Sequence, residues 1–278
     1  MDLNAVETYR RARTRADLAL APGEVPLAGG TLLFSAPSPL ITGLVDLTTL
    51  GWPDLEPSAD GLRIGATCPI ARLVAFAEGR DALRPDPTWT AVPLFADAAH
   101  ALLASFKIWN TATVGGNIAQ SYAAAAMVAL GTALDAEALI WPPDGGERRM
   151  PVAEIPAGNG LSSLGAGEII RAIDIPARAL RSRAALRRIA LAELGRSGAV
   201  VTGRVDEGGA AVFGITASVA RPVVLRWPSL PSAADLRAAV AGAQGWYTDP
   251  LGAADWRRGV SVVLAERCRA ALPEGDAE

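Results

Sequence analysis

The sequence predicts an α+β protein in three blocks, strands and helices following one another without an internal repeat. Three observations carry this. Short apolar stretches that end at glycine or proline recur along the chain, as strands do. Longer segments carry apolar residues at helical spacing. Two turn signals, Asp144-Gly145-Gly146 and Glu207-Gly208-Gly209, mark hairpins. With 278 residues the chain is long enough for two or three compact units.

The first block, residues 1–57, holds a helix and two strands, 25–28 ending at Gly29-Gly30, and 43–47. The second block is 58–178. It opens with a strand at 62–66, after which Thr67 reads as an N-cap and Pro69 as the first turn of a helix reaching Phe76. Residues 81–88, with Pro85 and Pro87, form a loop. Helices are expected at 93–106 and 123–134, the second more buried. A hairpin joins 138–141 to 148–152, and a strand at 169–175 closes at Pro176, the best domain boundary. The third block, 179–278, has strands at 186–192 and 199–205, a hairpin into 210–219, and helices at 233–243 and 255–272. The last helix places Trp256, Val260, Val263, Leu264 and Cys268 at helical spacing, and the acidic tail after Pro273 is expected to fray.

Composition excludes several functions. The net charge is −3, half the residues are apolar and a fifth are charged, so no basic surplus exists for nucleic acid. Lys107 is the single lysine, a bias we read as coding bias. Cys68 and Cys268 lie far apart without a partner motif, which argues against a disulfide framework or a cysteine-ligated cluster. The single histidine, His100, rules out a multi-His zinc site and sits on a helix among alanines, at or near its surface. Residues 1–15 lack the apolar core of a signal peptide. The uncharged stretch 108–134 contains Asn110, Asn117 and Gln120, and its continuous apolar part is only 122–130. A membrane span needs about 20 apolar residues, so a buried helix of a cytoplasmic protein is expected.

Two segments pair adjacent glycines with small polar residues: Pro26-Leu27-Ala28-Gly29-Gly30-Thr31, and Thr111-Ala112-Thr113-Val114-Gly115-Gly116-Asn117. Glycine lets a backbone approach a bulky anion closely and turn successive N–H groups toward it. Thr31, Thr113 and Asn117 add neutral donors, and the second loop is expected to lead into a helix from Ile118 onward, with its N-terminal donors free. Two such loops can grip one diphosphate from both sides without Lys or Arg. Neither loop fits the G-x-G-x-x-G or P-loop patterns.

These residues resemble the FAD-binding subunit of the xanthine dehydrogenase and carbon monoxide dehydrogenase family of molybdenum hydroxylases. The family's A-G-G-T loop matches Ala28-Gly29-Gly30-Thr31-Leu32, and its T-I/V-G-G-N-I/L loop matches Thr113-Val114-Gly115-Gly116-Asn117-Ile118. Val45-Asp46-Leu47, Leu62-Arg63-Ile64-Gly65-Ala66, Gly167-Glu168-Ile169-Ile170 and Ile173-Asp174-Ile175-Pro176 follow family strands in the same order. The resemblance covers most of 25–176, more weakly the remainder. It implies two FAD-binding subdomains of the vanillyl-alcohol-oxidase (PCMH) type, 1–57 and 58–178, then a C-terminal α+β domain, 179–278.

By the same resemblance the cofactor-binding residues are Leu27, Ala28, Gly29, Gly30, Thr31 and Leu32 on one side. Ala112, Thr113, Gly115, Gly116, Asn117 and Gln120 stand on the other. Leu103, Ile169 and Ile170 fall near the isoalloxazine, and Arg187 or Arg188 aligns with a basic residue that approaches it. No metal ligand and no acid–base dyad is expected. The family's aspartates after the second loop are missing from Ser121-Tyr122-Ala123-Ala124-Ala125-Ala126, and its arginine before Asn110 is Trp109.

The function implied is electron transfer. FAD on this chain would receive electrons from 2Fe-2S clusters of a small subunit, which serves a large molybdopterin subunit, in a heterotrimer or a dimer of heterotrimers. A stand-alone FAD-dependent oxidoreductase would need a larger substrate domain than the third block. A scaffold subunit that has lost FAD is favoured by the missing carboxylate and disfavoured by the intact loops.

Overall fold

The computed structural model describes residues 3–272. In chain order, β1 (Thr8–Arg11), β2 (Glu24–Leu27), α1 (Thr31–Ser35) and β3 (Gly43–Asp46) form the first unit. β1 and β2 both pair in parallel with β3, which lies between them. β3 is buried along its length and ends at Asp46. The Asp46 carboxylate accepts from Tyr9 Oη at 2.7 Å and from Thr48 N at 2.8 Å. Burial opposes its ionisation, but these bonds outweigh burial and hold its pKa below the usual range.

Next come β4 (Leu55–Ser58), β5 (Gly61–Gly65), α2 (Ile70–Ala77), α3 (Leu94–Ala101), α4 (Phe106–Trp109), α5 (Val114–Ala119) and α6 (Ala126–Ala133). β6 (Glu137–Trp141), β7 (Arg148–Pro151), β8 (Pro156–Gly158), β9 (Leu161–Ser162), β10 (Ile169–Pro176) and α7 (Ala177–Leu180) complete this part. The sheet order is β4-β5-β10-β6-β7, antiparallel throughout. Its apolar face and α2, α3, α5 and α6 enclose the main core. The β6–β7 hairpin turns through Gly145 and Gly146, both at positive φ, as the sequence indicated.

The third sheet is a four-stranded antiparallel meander, β11 (Arg183–Ile189), β12 (Ala199–Val205), β13 (Ala211–Thr216) and β14 (Val223–Trp227). α8 (Ala233–Gly242) and α9 (Ala254–Ala270) follow, and α9 packs on β11 and β12. α6 packs on β12 and β13, so it lies between this sheet and the main core. Every residue of α6 is buried, which explains why its sequence is apolar all round.

Several expectations are corrected. The cap of α2 is Pro69, not Thr67. The helix expected over 93–106 stops at Ala101, and 108–134 is divided among α4, α5 and α6. No helix among the described residues is long and apolar enough to cross a membrane. In α9 the buried face is Arg257, Ser261, Leu264, Ala265 and Cys268, while Val263 is exposed. The tail expected to fray lies outside the described residues. His100 is exposed, its Nδ1 against Ala96 O at 2.7 Å, and both cysteines are free and buried.

Candidate functional site

β2 delivers the chain to a turn at Ala28–Gly30, where Gly30 adopts φ +65° and α1 begins at Thr31. Among the described residues, the N–H groups of Gly29, Gly30, Thr31 and Leu32 meet no acceptor. Four adjacent donors of this kind form an anion-facing concavity.

The second loop is built differently from expectation. The helix begins at Val114, so Gly115 and Gly116 lie inside its first turn. Thr113 caps it, its Oγ1 accepting from Gly116 N at 3.1 Å. Val114 N donates to Cys68 O and Gly115 N to Ala66 O, each at 2.9 Å, and Asn117 N donates to Thr113 O. The backbone donors of 114–117 are thus consumed inside the protein. Asn117 keeps its side-chain NH2 available, because its Oδ1 accepts from Met127 N at 2.9 Å.

The glycines serve the contact between the loops and the strand beneath. A Cβ on Gly29 would stand 1.9 Å from Thr111 O, and one on Gly115 would stand 2.5 Å from Ala66 Cβ. Only glycine allows these approaches without moving a backbone.

The two loops face each other across a cleft of about 710 Å³. Leu27, Ala28, Gly29, Gly30, Thr31 and Leu32 form one wall; Ala112, Thr113, Gly115, Gly116, Asn117 and Gln120 form another. Leu103, Ile169 and Ile170 also line it. Every site residue expected from sequence is therefore gathered here except Arg187. Arg187 lies on β11 opposite Val201 and donates to Leu186 O, while Arg188 donates to Gly195 O. Neither arginine is among the residues that line the cleft. Arg196, in the loop after β11, lines it instead. Leu102, Ile108 and Leu164 also line it without having been expected. Of the residues the sequence offers in place of the missing carboxylate, Gln120, Ser121 and Tyr122, Tyr122 does line it and Ser121 does not. A residue in an irregular loop leaves no periodic signal, and Tyr122 stands where a family carboxylate was sought.

The cleft is close to neutral. Its one lining carboxylate among the described residues, Glu168, is gripped by Arg148, with Nε to Oε1 at 2.6 Å, and also accepts from Gly165 N. The Arg148 hydrogen bond holds its pKa below the usual range. Near Tyr122, Ala124 and Ala125 the wall carries no carboxylate, as the sequence implied. Trp109 is not part of the lining, and its buried Nε1 has no partner. No cluster of potential metal ligands occurs among the described residues.

A second hollow, of about 1000 Å³, lies between the main sheet and β14. Its arginines are already paired: Arg63 and Arg149 with Asp174, Arg178 and Arg226 with Asp135. Its charges are already balanced in pairs, and the neutral cleft beside the unpaired backbone donors is the better site.

Comparison with known proteins agrees with this geometry. Residues 12–178, more than half the chain, match the model of the FAD binding domain in molybdopterin dehydrogenase, and the chain belongs to that family. The fold is shared with a chain of quinoline 2-oxidoreductase from Pseudomonas putida 86, with a TM-score of 0.76 at 21% identity over 95% of this chain and 96% of that one. A chain of carbon monoxide dehydrogenase from Hydrogenophaga pseudoflava superposes with a TM-score of 0.78 at 19% identity, covering 96% and 97%. A chain of the Cu,Mo-CO dehydrogenase reaches 0.80 at 21% identity, covering 96% and 98%. No curated protein matches by sequence.

Proposed function

We propose that this chain is the FAD-binding electron-transfer subunit of a cytoplasmic molybdenum hydroxylase complex. The carrying observation is that both Gly-Gly loops meet across one neutral cleft beside four unpaired backbone donors. The residues fit the cofactor: N–H groups at 29–32, with Asn117 and Thr113 opposite, suit a diphosphate. Buried Ile169 and Ile170, with Leu103 at the mouth, suit an apolar ring.

Bound FAD supplies the ability to take electrons singly and release them as a pair. The chain's own residues bind and orient it. Gly29–Leu32 hold the diphosphate, and Ile169 and Ile170 exclude water from one wall. Among the described residues no acid–base pair lines the cleft, and in this reading substrate chemistry belongs to a partner subunit. The 2Fe-2S clusters belong to a small partner and the molybdopterin cofactor to a large one, in a heterotrimer or a dimer of heterotrimers. The family match and the fold shared with molybdenum enzymes support this reading. We divide the chain into two FAD-binding subdomains and a C-terminal domain. The borders are 57/58 and 178/179; the first falls within β4, which pairs with β5, and the second within α7.

Native purification tests the assembly. Three co-eluting subunits with flavin and iron–sulfur absorbance and bound molybdenum are expected. A flavin-loaded chain that elutes alone and turns over an organic substrate would overturn the assignment in favour of a stand-alone oxidoreductase.

A further inference from the structure

Among the described residues Arg196 is the one cation lining the cleft, and no carboxylate pairs with it. The loop that carries it is fixed at its stem. Ser197, next in the chain and buried, donates through Oγ to Ala101 O at 2.8 Å. Gly198 O accepts from the fully buried Arg257 at 2.8 Å. Arg257 is itself held by Asp249 and by Tyr247, whose ring lies 4.2 Å from its guanidinium carbon. The guanidinium carbon of Arg196 lies 5.8 Å from the centre of the ring of Tyr122, another lining residue. Through Ser197 its stem touches the end of α3, from which Leu102 and Leu103 run into the cleft.

We propose that Arg196 is the cation that stabilises the reduced, anionic flavin. This inference rests on the reading of the cleft as an FAD site. Two-electron reduction with uptake of one proton leaves one negative charge on the ring system, the electrons coming from the clusters of the small partner subunit. In a cleft whose one lining carboxylate among the described residues, Glu168, is already paired with Arg148, a guanidinium carried on an anchored stem favours that charged form over the oxidised one. The cation sought at Arg187 is supplied from the next loop, and it acts on the potential of the cofactor more than on its retention.

The test uses the full-length chain loaded with FAD, as wild type, Arg196→Gln and Arg196→Lys. Reduced and oxidised flavin are measured at equilibrium with a reference dye, and the reduced form is titrated with pH. In Arg196→Gln the reduced fraction should fall about tenfold, and the pH at which reduced flavin takes up a proton should rise by about one unit. FAD content should hold, and Arg196→Lys should restore most of both. Unchanged equilibrium and titration in the Gln variant would overturn the proposal, as would loss of FAD from that variant, which would make Arg196 a holding contact. Absence of FAD from the wild type would instead overturn the cofactor reading beneath it.

Discussion

Gly29 has a neighbour where a side chain would go, and that neighbour is backbone. Alanine there forces the first loop off the second, a case of overpacking worth about 1–3 kcal/mol. Gly29→Ala should lower the melting temperature by several degrees and weaken FAD retention together. Gly208, with open space around it, is the control, and Gly208→Ala should do neither. A Gly29→Ala variant that melts and binds like wild type would contradict the packing account. The cysteines behave as core residues. Burial raises both thiols, Cys268 to about 12, where Sγ lies 3.3 Å from Val201 O. The thiolate is the reactive form, so neither should react with a thiol reagent at pH 8 until the protein unfolds. Rapid labelling of the native chain would show that one of them is accessible.

At the scale of elements, α6 ties the molecule together. Met127 is 1% exposed, and its N–H meets Asn117, so helix and loop are coupled. Met127→Ala should cost about 2–5 kcal/mol, read by denaturant titration; a loss below 1 kcal/mol would mean that the core closes over the gap. Strands were legible where both faces are buried or a glycine turn marks them, as in β12 and the β6–β7 hairpin. β1, β4 and β14 were missed, and each is the edge of its sheet. Edge strands such as Leu55–Ser58, with one buried residue in four, carry no alternation to read. The buried Arg257 of α9 was equally hidden, since a charge satisfied by carbonyls looks like a solvent-facing one in sequence.

Over the whole molecule, the C-terminal sheet is locked to the main core through Asp135, which stands at φ +48°. Fully buried Arg204 donates to Asp135 at 2.6 Å and to Ala133 O at 2.7 Å, and Arg226 and Arg178 close on the same carboxylate. Burial works against ionisation of Asp135, but the arginines outweigh it and hold its pKa well below the usual range. The stability it contributes is therefore whole above the unfolded value of about 3.9 and is lost as pH falls toward the folded one. Asp135→Asn should destabilise the protein by about 3 kcal/mol at pH 7, with the difference from wild type shrinking below pH 4. Parallel stability curves for the two proteins down to pH 2 would contradict this.

The site was legible at this scale because its loops are short motifs in a fixed order. Its mechanics were less so: the sequence placed donors in both loops, whereas the backbone donors of Val114–Asn117 bind the protein itself. The most direct test is the flavin content of the full-length chain. After incubation with FAD and gel filtration, acid release should give about one FAD per chain, and Gly29→Ala should give markedly less. A chain that emerges colourless, correctly folded by circular dichroism and with no flavin released, would contradict the assignment of this cleft.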